Sequence, residues 1–248
     1  MAIDFINVSD DFFANVELQT TMPLSSSRET ILHFCEAVQR DFPAMTVFYQ
    51  REAGEYVLEG DRETGRYMWL ELRPNRLTAG YFNPPSLEDA SRLHAWLIER
   101  SIYFLGISPI DVECMDVMFG FNLEYAGNRD AIVADALMSG SQLSSILAEG
   151  ESKYVECQPE IVFALDEDCY TQARLSLETR NNTAQVRSGQ YENEPISVYF
   201  TVRRYPTPGK LFSPVESLRE QREICEDVCE RTIVPNIVQS IASAISTA

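Results

Sequence analysis

At 248 residues, with 45% apolar and 23% charged side chains, the chain can form one large domain or two of about 110–125 residues, each able to bury a core. Its 38 acidic and 20 basic residues give a net charge of −18 and a pI near 4.5, which argues against nucleic acid or an anionic membrane as partner, because both need a basic patch. No stretch approaches the roughly 18 uncharged apolar residues of a membrane span, and the first twenty residues hold four acids but no Lys or Arg, so neither a secretory signal nor a transit peptide is expected.

Residues 1–11 read as a lead-in or a short edge strand. From Phe12 to Thr20, the alternation of Ala14, Val16 and Leu18 predicts a strand. Pro23 ends it, and Ser26 with Glu29 makes a capping box for a helix to about Phe42. In that helix Ile31, Leu32, Cys35, Val38 and Phe42 recur at helical spacing. Four short alternating runs follow at Met45–Gln50, Glu55–Glu59, Arg66–Arg73 and Leu77–Phe82. Their connectors are rich in Gly, Asp, Asn and Pro, which predicts an antiparallel meander. Ser86 and Asp89 then start a helix whose stripe is Leu87, Ala90, Leu93, Leu97 and Ile98.

A turn at Gly106–Pro109 marks a boundary, giving units 1–108 and 109–248. Beyond it the spacing predicts a strand at Val112–Tyr125 and an Asn128-capped helix to about Leu147. Further strands are expected near Tyr154–Cys157, Glu160–Leu165, Thr171–Glu178, Ala184–Gln190 and Ile196–Arg203. Ser213, Pro214 and Glu216 start a last helix that Pro235 should kink or interrupt.

The two units share more than element order. Over Glu55–Ala79 and Glu160–Ala184, offset by 105, seven of 25 positions are identical: Glu55/Glu160, Val57/Val162, Asp61/Asp166, Leu70/Leu175, Leu72/Leu177, Thr78/Thr183 and Ala79/Ala184. Val16–Thr20 and Phe121–Tyr125 keep that offset, and Arg28–Ile31 recurs as Arg129–Ile132. The expectation is an α+β fold made by tandem duplication of a strand, helix, four-strand, helix unit, with about 24 residues added after Ala184. It should give a curved antiparallel sheet, continuous or split, with helices on one face.

That order resembles the duplicated saddle of the TATA-box-binding-protein fold. The family's use of DNA does not carry over, since −18 is incompatible with the basic concave face it requires. A second resemblance, to the CesT-like type III secretion chaperones and the YbjN-like proteins, rests on small acidic α+β units with twisted antiparallel sheets. It implies protein binding without catalysis.

Motifs for chemistry are scarce. His33 and His94 are the only histidines, on predicted helices, and neither has a metal-ligand neighbour. Cys225 and Cys229 share a helical face and could form half a metal site, but nothing supplies the rest. With no secretory signal, the six cysteines read as reduced thiols in a cytoplasmic protein. Asp166, Glu167 and Asp168 read as a solvated turn. No P-loop, GxGxxG, GxSxG or HExxH occurs. No cofactor and no metal are expected.

One asymmetry suggests a site. Met68, Leu70 and Leu72 match Ala173, Leu175 and Leu177 and should pack on helices, while the opposite parity reads Tyr67, Trp69, Glu71, Arg73 in the first unit and Gln172, Arg174, Ser176, Glu178 in the second. Tyr67 and Trp69, flanked by Tyr49 and Phe82, form a candidate recognition platform. The sequence thus points to a non-catalytic binding module for a protein or peptide. Two alternatives stay open: a small-molecule or carboxylate-based enzymatic pocket between the units, and a structural subunit whose sheet face meets a second copy.

Overall fold

The computed structural model describes residues 5–147 and 152–248. Nine strands form one antiparallel sheet: β1 (Asp11–Thr20), β2 (Met45–Gln50), β3 (Tyr56–Gly60), β4 (Tyr67–Arg73), β5 (Arg76–Phe82), β6 (Val112–Tyr125), β7 (Glu160–Ala164), β8 (Thr171–Glu178) and β9 (Glu194–Arg204). Their spatial order is β2-β3-β4-β5-β1-β6-β9-β8-β7. The two halves of the chain therefore join along a single seam, where β1 runs antiparallel to β6 with Val16 opposite Val117. The sheet is continuous across that seam, curved and open.

Strict alternation explains the layering. On β1, Phe12, Ala14, Val16, Leu18 and Thr20 are buried, whereas Asp11, Phe13, Asn15, Glu17 and Gln19 are only part-buried. The buried parity continues through Leu77 and Ala79 on β5, Leu70 and Leu72 on β4, Val117, Phe119 and Phe121 on β6, and Val198, Phe200 and Val202 on β9. Against it lie α1 (Arg28–Asp41), α2 (Leu87–Phe104) and α5 (Pro214–Val228), with α3 (Arg129–Met138) packed on α6 (Gln239–Thr247). Phe5, in a 3-10 turn at Phe5–Asn7, closes an aromatic knot with Phe12, Phe119 and Phe121 over the seam. The expected lead-in is thus part of the core, though residues 1–4 lie outside the described residues.

Helix starts follow capping chemistry. Ser86 Oγ accepts from the Asp89 amide and donates to its carboxylate, at 3.1 and 2.7 Å. Asn128 and Ser213 cap α3 and α5. The cap of α1 is Ser27 rather than Ser26, its Oγ accepting from the Thr30 amide at 3.1 Å. Pro235 cannot donate to the helical ladder, and the backbone around it widens into a π-helical stretch, Cys229–Val238, joining α5 to α6.

Three expectations in the second half need correction. Tyr154–Cys157 is irregular, so β7 lies at the sheet edge with all five residues exposed, whereas β3 in the first half is covered by β2. Residues 184–190 are not a strand: Thr183–Ser188 is a short helix, α4, closed by a capping box between Asn182 and Gln185. Thr183 and Ala184 therefore do not sit where Thr78 and Ala79 sit, and the register confirms it, because Leu70 pairs with Ala79 but Leu175 pairs with Phe200. Finally, α3 stops at Met138 and a separate 3-10 segment, Gln142–Leu147, follows.

Two buried charges hold that irregular region. Arg129 is fully buried and donates to the carbonyls of Thr179 (2.5 Å), Glu192 (2.7 Å) and Tyr125 (3.3 Å), and to the Glu194 carboxylate (3.1 Å). Asp130, equally buried, accepts from the Cys157 amide (2.7 Å), the Thr179 hydroxyl (2.7 Å) and the Asn181 side chain (2.6 Å). Between them they tie the segment before β7 and the excursion between β8 and β9 to the start of α3.

Candidate open-face recognition site

No helix packs on the second face of the sheet among the described residues, and the ladder registers order its side chains into rows. The first row crosses the sheet as Tyr67, Phe82, Phe13, Gly120 and Tyr199. Tyr67 stacks on Phe82 with ring centroids 5.2 Å apart, Phe82 on Phe13 at 6.0 Å, and Phe13 meets Tyr199 edge-on at 6.0 Å. Phe13 reaches Tyr199 across an intervening strand because Gly120 has no side chain. A Cβ at Gly120 would come within 2.2–2.8 Å of three Phe13 ring atoms.

The next row repeats the device. Trp69 lies opposite Gly80, where a Cβ would come within 2.6–2.8 Å of its ring. All these aromatics are part-buried. Burial pushes the Tyr67 and Tyr199 phenols upward, so both remain neutral hydrogen-bonding groups at neutral pH.

The third row is charged: Glu71, Thr78, Glu17, Asp116 and Arg203 lie side by side. Glu17 and Asp116 are direct cross-strand neighbours, which like charges tolerate only when compensated. Arg203 grips Asp116 with two bonds of 2.7 and 2.6 Å, and Arg76 lies 3.3 Å from Glu17. Desolvation still raises the Glu17 carboxyl, with Arg76 opposing it. Elsewhere on this face Arg62 holds Glu59, Arg51 and Arg73 hold Glu71, Arg174 holds Glu160, and Arg180 bridges Glu178 and the Tyr199 hydroxyl. Six carboxylates are thereby matched by seven arginines. The acidic excess of the chain lies outside these pairs.

The four residues singled out from sequence therefore lie on one face but not in one cluster. Tyr67 and Phe82 stack; Trp69 occupies the adjacent row; Tyr49, on edge strand β2, stands in the charged row beside Val57 and donates to Glu59 at 3.3 Å. Sequence reasoning missed Phe13 and Tyr199. Phe13 was legible, because parity against Ala14, Val16 and Leu18 puts it on the open side. Tyr199 required the register of β9. Glycine inside a predicted strand was the remaining signal.

The other sequence candidates resolve into structure. Asp166 accepts from the amides of Tyr170 and Thr171, at 2.9 and 2.7 Å, and closes the β7–β8 turn; the Thr171 hydroxyl first, and then these amides, hold its carboxyl below the usual range. Cys225 and Cys229 are buried, their thiols pushed up by desolvation, and Cys225 Sγ faces the Val117 carbonyl at 3.5 Å. His33 is exposed, while His94 is buried between α2 and the sheet. Among the described residues no group of three or more His, Cys, Asp or Glu is arranged to hold a metal, and no helix is long and apolar enough to cross a membrane. No known family model matches this chain, and no curated protein matches it.

Proposed function

We propose that the open sheet face is a non-catalytic binding surface for a peptide or an exposed segment of another protein. The observation that carries this reading is the row Tyr67–Phe82–Phe13–Tyr199, a continuous aromatic strip on the face where no helix packs among the described residues. Aromatic side chains supply contact area at low entropic cost and dominate the energetic centres of protein interfaces. The matched charges beside the strip supply hydrogen-bonding groups without a net field of their own. Long-range attraction comes from the acidic remainder of the molecule and favours cationic segments. Six free cysteines support a reducing compartment, in keeping with a cytoplasmic location. The resemblance to CesT-like chaperones points the same way.

The test is selection of peptides from a displayed library on the purified protein, followed by titration of Tyr67→Ala and Phe82→Ala. Each substitution should weaken the selected peptide at least ~10-fold, as interface aromatics do, and lower the melting temperature by only a few degrees. Peptides that bind both variants as tightly as the parent would remove the open face from the function.

A further inference from the structure

A second feature lies on the opposite side of the sheet and is independent of the open face. Where α2 and α5 pass over the β1–β6 seam they leave a cavity of about 430 Å³. Its origin is in the side chains: Ala14 on β1 and Ala90 and Ala95 on α2 are too short to fill the gap above Val117 and Phe119. The space is many times that of one water, at roughly 30 Å³ each, and falls in the ~300–1,000 Å³ range of ligand pockets.

We propose that this cavity binds a small amphipathic carboxylate, an aliphatic or aromatic acid whose apolar body lies on Val117, Phe119 and Leu218 and whose carboxylate meets Arg219. The sign of the head group follows from the wall. Two guanidiniums, Arg219 and Arg222, line it together with one carboxylate, Glu216. Arg222 already pairs with Glu226 at 3.2 Å and lies 3.9 Å from Glu88, so the cation left for a ligand is Arg219, which makes no ion pair among the described residues and is exposed. Guanidinium is the side chain best matched to a carboxylate, through two parallel hydrogen bonds.

A third group in the wall calls for an occupant with a hydrogen-bonding atom. His94 is 4% exposed, and its Nε2 is buried with no hydrogen-bond partner among the described residues. Such a group is costly to leave unmade. A polar atom of the occupant within reach of Nε2 satisfies it.

Calorimetric titration of the full chain with decanoate tests the site. One equivalent should bind saturably, 1-decanol should bind at least ~10-fold more weakly, and Arg219→Gln should weaken decanoate by a similar factor, the usual worth of a charged hydrogen bond. Ala95→Trp, which fills the cavity, should abolish binding. Because the chain has only two histidines, imidazole nitrogen spectra of the unmodified protein give a readout without mutation: decanoate should shift His94 and leave His33 unmoved. The proposal falls if decanoate does not saturate, if decanol binds equally well, if binding survives Ala95→Trp, or if the His94 resonances stay in place.

Discussion

Gly120 and Phe13 form a pair whose geometry dictates its response to mutation. Adding one methyl in Gly120→Ala places a Cβ inside the Phe13 ring, so the ring must leave its stack with Phe82 and its edge contact with Tyr199. Overpacking of this kind costs about 1–3 kcal/mol, measurable by urea denaturation. Phe13→Ala in the same chain should recover part of the loss, a non-additivity that identifies the clash as its cause. His94 gives a prediction of a different kind. Desolvation holds its imidazole down to about 4 from an ordinary 6.5; Arg222 adds to the depression, and the Ala14 carbonyl opposes it. The unfolded chain therefore takes up a proton near pH 6.5 that the folded chain refuses until about pH 4. The stability linked to this residue is complete above pH 6.5 and is lost as pH falls toward 4, up to about 3 kcal/mol. His94→Gln should flatten that part of the curve, so parent and variant melting temperatures recorded from pH 7.5 to 4.5 should converge or cross on acidification.

At the scale of elements, like letters produced unlike environments. Arg28-Glu29 and Arg129-Asp130 occupy corresponding first turns of α1 and α3, yet the first pair is exposed and the second fully buried. The difference comes from neighbours distant in sequence: the carbonyls of Thr179 and Glu192 and the amide of Cys157 converge on α3 and have no counterpart at α1. Asp130→Ala would leave two buried donors, the Cys157 amide and the Thr179 hydroxyl, without an acceptor, and a loss of about 2–5 kcal/mol is expected. Proteolysis should then cut first between Thr179 and Asn193, the excursion that this carboxylate and Arg129 tether. Equal protection of that segment in the variant would show that the tether is dispensable. The same region holds the strands misassigned from sequence. Residues 184–190 alternate well enough to suggest a strand, but Asn182 and Gln185 satisfy each other's backbone amides reciprocally, and that local exchange starts a helix instead.

For the whole molecule, the seam decides what is a folding unit. β1 pairs with β6 along nearly its full length, and Phe12, fully buried, packs on Phe119 and Phe121 from the other half. A fragment of residues 1–108 would expose that edge and that ring. It should aggregate, or show no cooperative thermal transition by circular dichroism, whereas the full chain should unfold in one step. A sharp, independent melt of the fragment would mean that each half completes its own core. Much of this architecture was legible from periodicity. Alternation located the first-half strands to within a residue or two and sorted the two faces of β1 and β4, so Tyr67, Trp69 and Phe82 could be named together. Capping chemistry located the starts of α2, α3 and α5, and Pro235 announced the interrupted helix. These are local properties: side-chain spacing, missing donors and cap geometry act within a few residues. The joining of both halves into nine strands, the β9 register that brings Tyr199 to Phe13, the burial of Arg129 and Asp130, and the cavity under α2 and α5 were decided only in the tertiary structure. Each arises from contacts between segments far apart in the chain, and no local pattern records which of them will meet.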